Sequence, residues 1–171
     1  MRRMGVTEFE EFADALTPQL LRSAWLLCGD THRAEDLVQE TLAKVYMRWH
    51  RRIGGGIDHP VAYSQTALVR TFLSDRRRKS SGELPYAEPP DGVHPDRVAE
   101  TDLQLQVAEA LAGLNPADRA VLVLRYLEDR SVSDVATALG VSEGAVRNRS
   151  MRALDRLRPL LTPHTTPGGT R

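Results

Sequence analysis

Arg147, Asn148, Met151 and Arg152 stand at spacings that set them along one side of a helix, with Arg149 at its boundary. In a DNA major groove arginine pairs with guanine and asparagine with adenine, so this set can read base edges. Its frame is the stretch Ser131 to Leu157, which has the pattern of a helix-turn-helix. Val132, Val135, Ala136 and Leu139 recur at helical spacing. Gly140 then accepts the left-handed backbone of a tight helix exit. Ser142 is an N-cap for the second helix, and Glu143 sits in its first turn, where the dipole favours an acid. Val146, Leu154 and Leu157 form the apolar side of that helix, while Gly144 and Ala145 let its start approach another surface. The alternative is a helical hairpin that only packs.

Two further sets carry charge suited to a partner. Glu35, Asp36, Gln39 and Glu40 make an acidic and amide surface near the start of a helix whose core stripe is Leu37, Leu42, Val45, Tyr46 and Trp49. Taken alone, that surface reads as an ordinary solvated face. The same helix turns basic at Lys44, Arg48, His50, Arg51 and Arg52, with Trp49 either core or a stacking platform for bases. The run Arg76, Arg77, Arg78, Lys79 closes a later helix and exceeds what the helix dipole needs, which points to phosphate contact.

Catalytic chemistry is not visible. The five histidines are scattered and lack zinc-site spacing. Gly54 to Gly56 has neither the strand before it nor the lysine after it that a phosphate loop requires. The expectation is a non-enzymatic protein with no cofactor, no metal and no small-molecule substrate.

The elements that position these residues follow in order. Thr7 and Glu10 fit a capping box for a helix carrying Phe9, Phe12 and Leu16. Thr17-Pro18 either starts a second helix or kinks the first. Gly29-Asp30 ends that apolar segment. The loop Gly54 to His59 leads to a helix opened by Pro60. Residues 80–101 are rich in Pro, Gly and acid, lack helical periodicity, and read as a flexible linker. A helix from Asp102, an Asn115-Pro116 helix start and the helix-turn-helix complete the second part. Residues 162–171 read as a disordered tail.

The net charge of zero conceals segregation, since acids cluster near Glu8, Glu35 and Glu83 while the cations form two patches. The single cysteine, Cys28, excludes an internal disulfide and suits a reducing cytoplasm. No apolar run approaches the roughly 20 residues of a membrane span. The expected location is the cytoplasm.

Together the stretches AEDLVQETLAKVYMRW, PVAYSQTALVRTFLSDRRRK and LNPADRAVLVLRYLEDRSVSDVATALGVSEGAVRNRSMRALDRL, joined by the acidic linker, resemble an extracytoplasmic-function sigma factor. The likeness is to the actinobacterial SigE-like subfamily of the sigma-70 family. It implies an all-α fold: a region 2 domain at residues 1–79, the linker at 80–101, and a four-helix region 4 domain at 102–161. It implies core RNA polymerase and promoter DNA as partners, and an anti-sigma factor as a further one. By resemblance Asp36, Leu37, Gln39 and Glu40 belong to the polymerase-binding surface. Trp49, Arg52, Asp58, His59, Arg70, Ser74, Arg76, Arg77 and Arg78 belong to the −10 DNA surface. Ser142, Arg147, Asn148, Arg149, Met151 and Arg152 belong to the −35 surface. Two positions depart from the family pattern: Arg70 stands where asparagine is frequent, and Ser150 where the core residue is usually apolar. Ser150 is expected to bond back to a helical carbonyl. The rival reading is a two-domain helix-turn-helix regulator that binds duplex operator without polymerase.

Overall fold

The computed structural model describes residues 6–51, 56–82 and 101–161, and the regular elements among them are all helical. Arg52, Gly54, Gly55, residues 83–100 and the tail from 162 lie outside the described residues. The elements are α1 (Val6–Cys28), α2 (Thr31–Trp49), α3 (Pro60–Ser80), α4 (Asp102–Ala112), α5 (Pro116–Leu122), α6 (Val132–Leu139) and α7 (Glu143–Leu161). A π-helical segment, Val123–Leu127, prolongs α5.

Local signals explain the boundaries. α1 runs unbroken through Pro18, so neither a break nor a new helix forms there. Pro18 offers no N–H to the preceding turn, and Thr17 Oγ1 donates to the Ala13 carbonyl at 2.7 Å. Leu16 and Leu20, buried on either side, hold the helix across that defect. Thr7 lies inside α1 rather than at its cap, because the helix already includes Val6. Gly29 exits with φ 71°, and the Asp30 carboxylate then caps α2 by accepting from Arg33 N at 2.9 Å. Thr101, Asn115 and Ser131 cap α4, α5 and α6 in the same way.

The helix-turn-helix has the expected turn. Gly140 has φ 65°, its N–H reaches the Thr137 carbonyl at 3.3 Å, and Val141 N reaches Ala136 O at 3.0 Å. Those two bonds are the Schellman pattern, which satisfies carbonyls that the end of α6 would otherwise leave open. Ser142 Oγ accepts from Ala145 N at 3.1 Å and caps α7. The buried stripe of α7 is Val146, Ser150, Ala153 and Leu157. Leu154, expected on that side, is 37% exposed. At 100° per residue it lies well off the line through 146, 150, 153 and 157. Ser150 does not bond back to its helix: its hydroxyl is buried and has no hydrogen-bond partner.

α1, α2 and α3 pack as one group, and α4 to α7 as another. The two groups also meet each other. One hydrophobic core runs from Leu20, Ala24 and Leu68 into Val121, Leu124 and Val135. Arg119, 1% exposed, lies where they join. It donates from α5 to Leu27 O at 2.5 Å and to Leu114 O at 3.0 Å, tying the end of α1 to the α4–α5 turn. Its guanidinium also lies 5.9 Å from the centre of the Phe72 ring.

Candidate nucleic-acid interface

α7 presents Arg147, Asn148, Met151 and Arg152 to solvent on the side opposite its buried stripe. Arg147 makes an exposed ion pair with Glu143 at 2.8 Å, one turn back. Such a pair is weak and exchangeable, so it leaves the guanidinium able to reach a base. Arg149 is placed differently. Its Nη1 meets Asp118 Oδ1 at 3.0 Å, and that carboxylate is almost buried. Asp118 Oδ2 also accepts from Asn115 Nδ2, and Asn115 Oδ1 accepts from Asp118 N, so Arg149 locks α7 to the cap of α5. Arg149, placed on the −35 surface by resemblance, thus has its charge engaged within the fold. Nearby, the Ser131 hydroxyl donates to Asp134, which holds that carboxyl below the usual carboxylate range.

A second cationic surface is a cleft of about 610 Å³ between α2, α3 and the loop before α3. Lys44 and Arg48 line it from α2, Asp58 and His59 from the loop, and Tyr63, Arg70 and Ser74 from α3. Pro60 fixes the first turn of α3, with His59 O accepting from Tyr63 N at 2.9 Å, so the loop is held directly against the helix. Arg70, Ser74 and Arg77 follow at i, i+4 and i+7, and therefore share a face. Arg76 lies on another face: its guanidinium lies 5.5 Å from the centre of the Phe72 ring, and it lines a small cavity beside Cys28, Asp36 and Glu40. Arg78 is exposed and 3.9 Å from Asp75. Trp49 does not enter the cleft lining. Its ring packs on α1, with centroids 4.9 Å from Phe12 and 5.5 Å from Phe9. It is a half-buried residue that packs on α1.

The acidic face of α2 exposes Asp36, Gln39 and Glu40. Glu40 is paired with Lys44 at 2.8 Å, and Lys44 also donates to Thr71 Oγ1 at 3.0 Å. Leu37 is 5% exposed and belongs to the core. Its side chain faces inward from the same helix and lines the small cavity beside Asp36 and Glu40. Cys28 is buried, and desolvation raises its thiol to about 11.

Some residues at these surfaces were not singled out from the sequence. Arg130, in the turn before α6, also lines the cleft, and its Nη1 donates to Thr66 Oγ1 at 2.6 Å. Glu128 and Arg119 bind across the two helical groups. Only their charge is visible in the chain; their partners lie 63 to 109 residues away.

These two surfaces can be set beside known proteins. The model of sigma-70 region 2 matches residues 12–82, and that of sigma-70 region 4 matches residues 110–159. An RNA polymerase sigma-E factor of Streptomyces coelicolor is 34% identical over 157 residues, covering 90% of this chain and 85% of that one. The chain belongs to the extracytoplasmic-function sigma factors. The ECF sigma factor SigL of Mycobacterium tuberculosis is 33% identical over 144 residues, covering 81% and 80% of the two chains. Among solved structures, the sigma factor RpoE from Bartonella quintana, crystallised with the anti-sigma factor NepR, superposes with a TM-score of 0.65. That match has 29% identity and covers 89% of this chain and 97% of the other. Sigma factors are non-catalytic subunits that direct RNA polymerase to promoters, and the operator-binding regulator is not favoured. Among the described residues no helix is long and apolar enough to cross a membrane.

Proposed function

We propose that residues 1–79 bind core RNA polymerase and open the −10 element, and that residues 102–161 bind the −35 element. The observation that carries this reading is the pair of separate cationic surfaces, the exposed side of α7 and the α2–α3 cleft, on one chain. A duplex reader needs only the first. The second suits a displaced strand, because a groove of cations beside a pocket can hold backbone phosphate and an unstacked base.

Asp36, Gln39 and Glu40 dock on the polymerase, where carboxylate and amide groups pair with arginines of a partner helix. Lys44, Arg48, Arg70 and Arg77 follow the opened strand, and Asp58, His59 and Ser74 supply polar groups for a base in the cleft. Arg78 adds exposed charge for the DNA backbone. Arg147, Asn148, Met151 and Arg152 read the −35 duplex, with Ser142 positioning the start of α7. The protein itself catalyses no reaction and works in the cytoplasm. An anti-sigma factor holds it inactive, in line with NepR in the co-crystal of the Bartonella quintana relative.

Reconstituted transcription tests the reading. Core polymerase with this protein should initiate at discrete sites on genomic DNA of the host, and sequencing the transcript starts should return two spaced promoter elements. Absence of any directed initiation refutes it.

A further inference from the structure

α1, α4 and the end of the π-helical segment surround a cavity of about 380 Å³. None of its lining residues belongs to the acidic face of α2, the α2–α3 cleft or the exposed side of α7. Its walls are apolar: Trp25 and Leu26 from α1, Leu103 and Val107 from α4, and Leu127 from the π-helical segment. The cavity lies at a seam in the packing. Leu127 packs on the large core, Val107 on the smaller cluster of Leu111, Leu114 and Leu157, and Leu26 on both. Leu103, in the first turn of α4, is 65% exposed, so the hollow opens to solvent beside it. Small-molecule sites have volumes of about 300–1,000 Å³, mostly apolar walls and a few placed polar groups. This cavity meets each of those conditions.

The polar groups define what fits. Trp25 is 2% exposed, and its indole Nε1 has no hydrogen-bond partner. A buried indole N–H usually has an acceptor, because without one the donor loses its water for nothing in return. Arg22 lines the same cavity, is exposed, and makes no hydrogen bond or ion pair among the described residues. Arg22 and Trp25 are i and i+3 on α1, so they are neighbours on the helix surface and one carboxylate can meet both. A guanidinium at the solvent side of an apolar hollow selects a molecule with the same order of parts, an anionic head and an apolar body. A sugar or nucleotide would leave its hydroxyls without partners against leucine and valine. An amine would meet a like charge at Arg22.

We propose that this cavity is a binding site for a free medium-chain carboxylate. The chain lies against Leu26, Val107 and Leu127. One carboxylate oxygen pairs with Arg22, and the other accepts from Trp25 Nε1. The ligand touches α1 and α4 together, and since it binds only the folded chain it raises the melting temperature.

Calorimetric titration of the full-length protein with hexanoate and octanoate, both below their micelle concentrations, measures the binding. The two added CH₂ groups of octanoate should tighten it about tenfold. Arg22→Gln should weaken octanoate about three- to fivefold, the size expected of an exposed ion pair, and leave octanol unchanged. Leu103→Glu changes an exposed residue, keeps the fold by circular dichroism, and should weaken octanoate by a similar factor through like charge. In nitrogen-15 spectra of the protein, octanoate should move the Trp25 indole N–H signal and leave that of Trp49 in place. Absence of octanoate binding overturns the site, and so does an affinity equal to that of hexanoate. Octanoate that binds both variants as it binds the wild type, or that leaves the Trp25 signal unmoved, also overturns it. Loss of octanol binding equal to that of octanoate in Arg22→Gln refutes the carboxylate head.

Discussion

Replacing Ser150 by alanine should stabilise this protein. Ser150 sits between Val146 and Ala153 on the inner face of α7, 8% exposed, and its hydroxyl has no hydrogen-bond partner. A buried hydroxyl left unsatisfied costs about 1–3 kcal/mol. Alanine removes that cost, and its better helix propensity adds about 0.5 kcal/mol. One oxygen atom is lost from the packing, which takes back a fraction of the gain. The net expectation is about 1–2 kcal/mol of added stability. For a chain of this length that corresponds to a rise of about 2–8 °C in Tm, since each kcal/mol shifts Tm by about 2–4 °C. Differential scanning calorimetry measures it directly. Ser150 faces the core and the proposed base-reading residues face solvent, so −35 affinity should be unchanged. A melting temperature equal to or below that of the wild type would show that the hydroxyl is satisfied in solution, and the accounting for α7 would be wrong.

Other outcomes follow from the same geometry. Asp36→Arg should abolish capture of core polymerase while leaving Tm unchanged, because Asp36 is exposed; normal capture removes this face from the docking surface. Arg147→Ala should weaken −35 duplex binding by about 1–3 kcal/mol if it reads a base, and a binding titration over variant −35 sequences should show relaxed preference at one position. Arg149→Ala should instead destabilise the fold by about 1–3 kcal/mol, and a double-mutant cycle with Asp118→Ala should show coupling, since both belong to one hydrogen-bonded group. The salt dependence of DNA binding should hardly move in that variant; a clear drop in slope would place Arg149 among the phosphate contacts. The Cys28 thiol ordinarily titrates at 9.0 but is raised to about 11 in the fold. The folded form thus keeps a proton that the unfolded form releases, so this contribution to stability is complete below pH 9 and declines as pH rises towards 11. Cys28→Ala should flatten that decline in denaturant melts, and an equally steep decline without the thiol would assign it to other groups.

The chain by itself determined which helices form and where most of them stop. Asp30, Asn115, Ser131, Gly140 and Ser142 each act on the backbone within a few residues, so their chemistry is local and can be read along the sequence. The exposed face of α7 was legible for the same reason: a 3.6-residue period separates the side that packs from the side proposed to read DNA. The period was less reliable for single positions. It set Leu154 inside, because burial depends on where neighbouring helices lie, whereas it placed Leu37 correctly in the core and only the resemblance put that residue on a docking face. Tertiary structure alone decided which cations are free. Arg147 and Arg149 are two residues apart and alike in sequence, yet Asp118, brought in from α5, engages only the second. Trp49 was open to two readings until α1 supplied Phe9 and Phe12. The partners of Glu128, Arg130 and Arg70 were not visible, since contacts spanning 63 to 109 residues leave no periodic trace in a single chain. Local backbone chemistry fixed the helices; the packing of two helical groups decided which of their charges remain for polymerase and DNA.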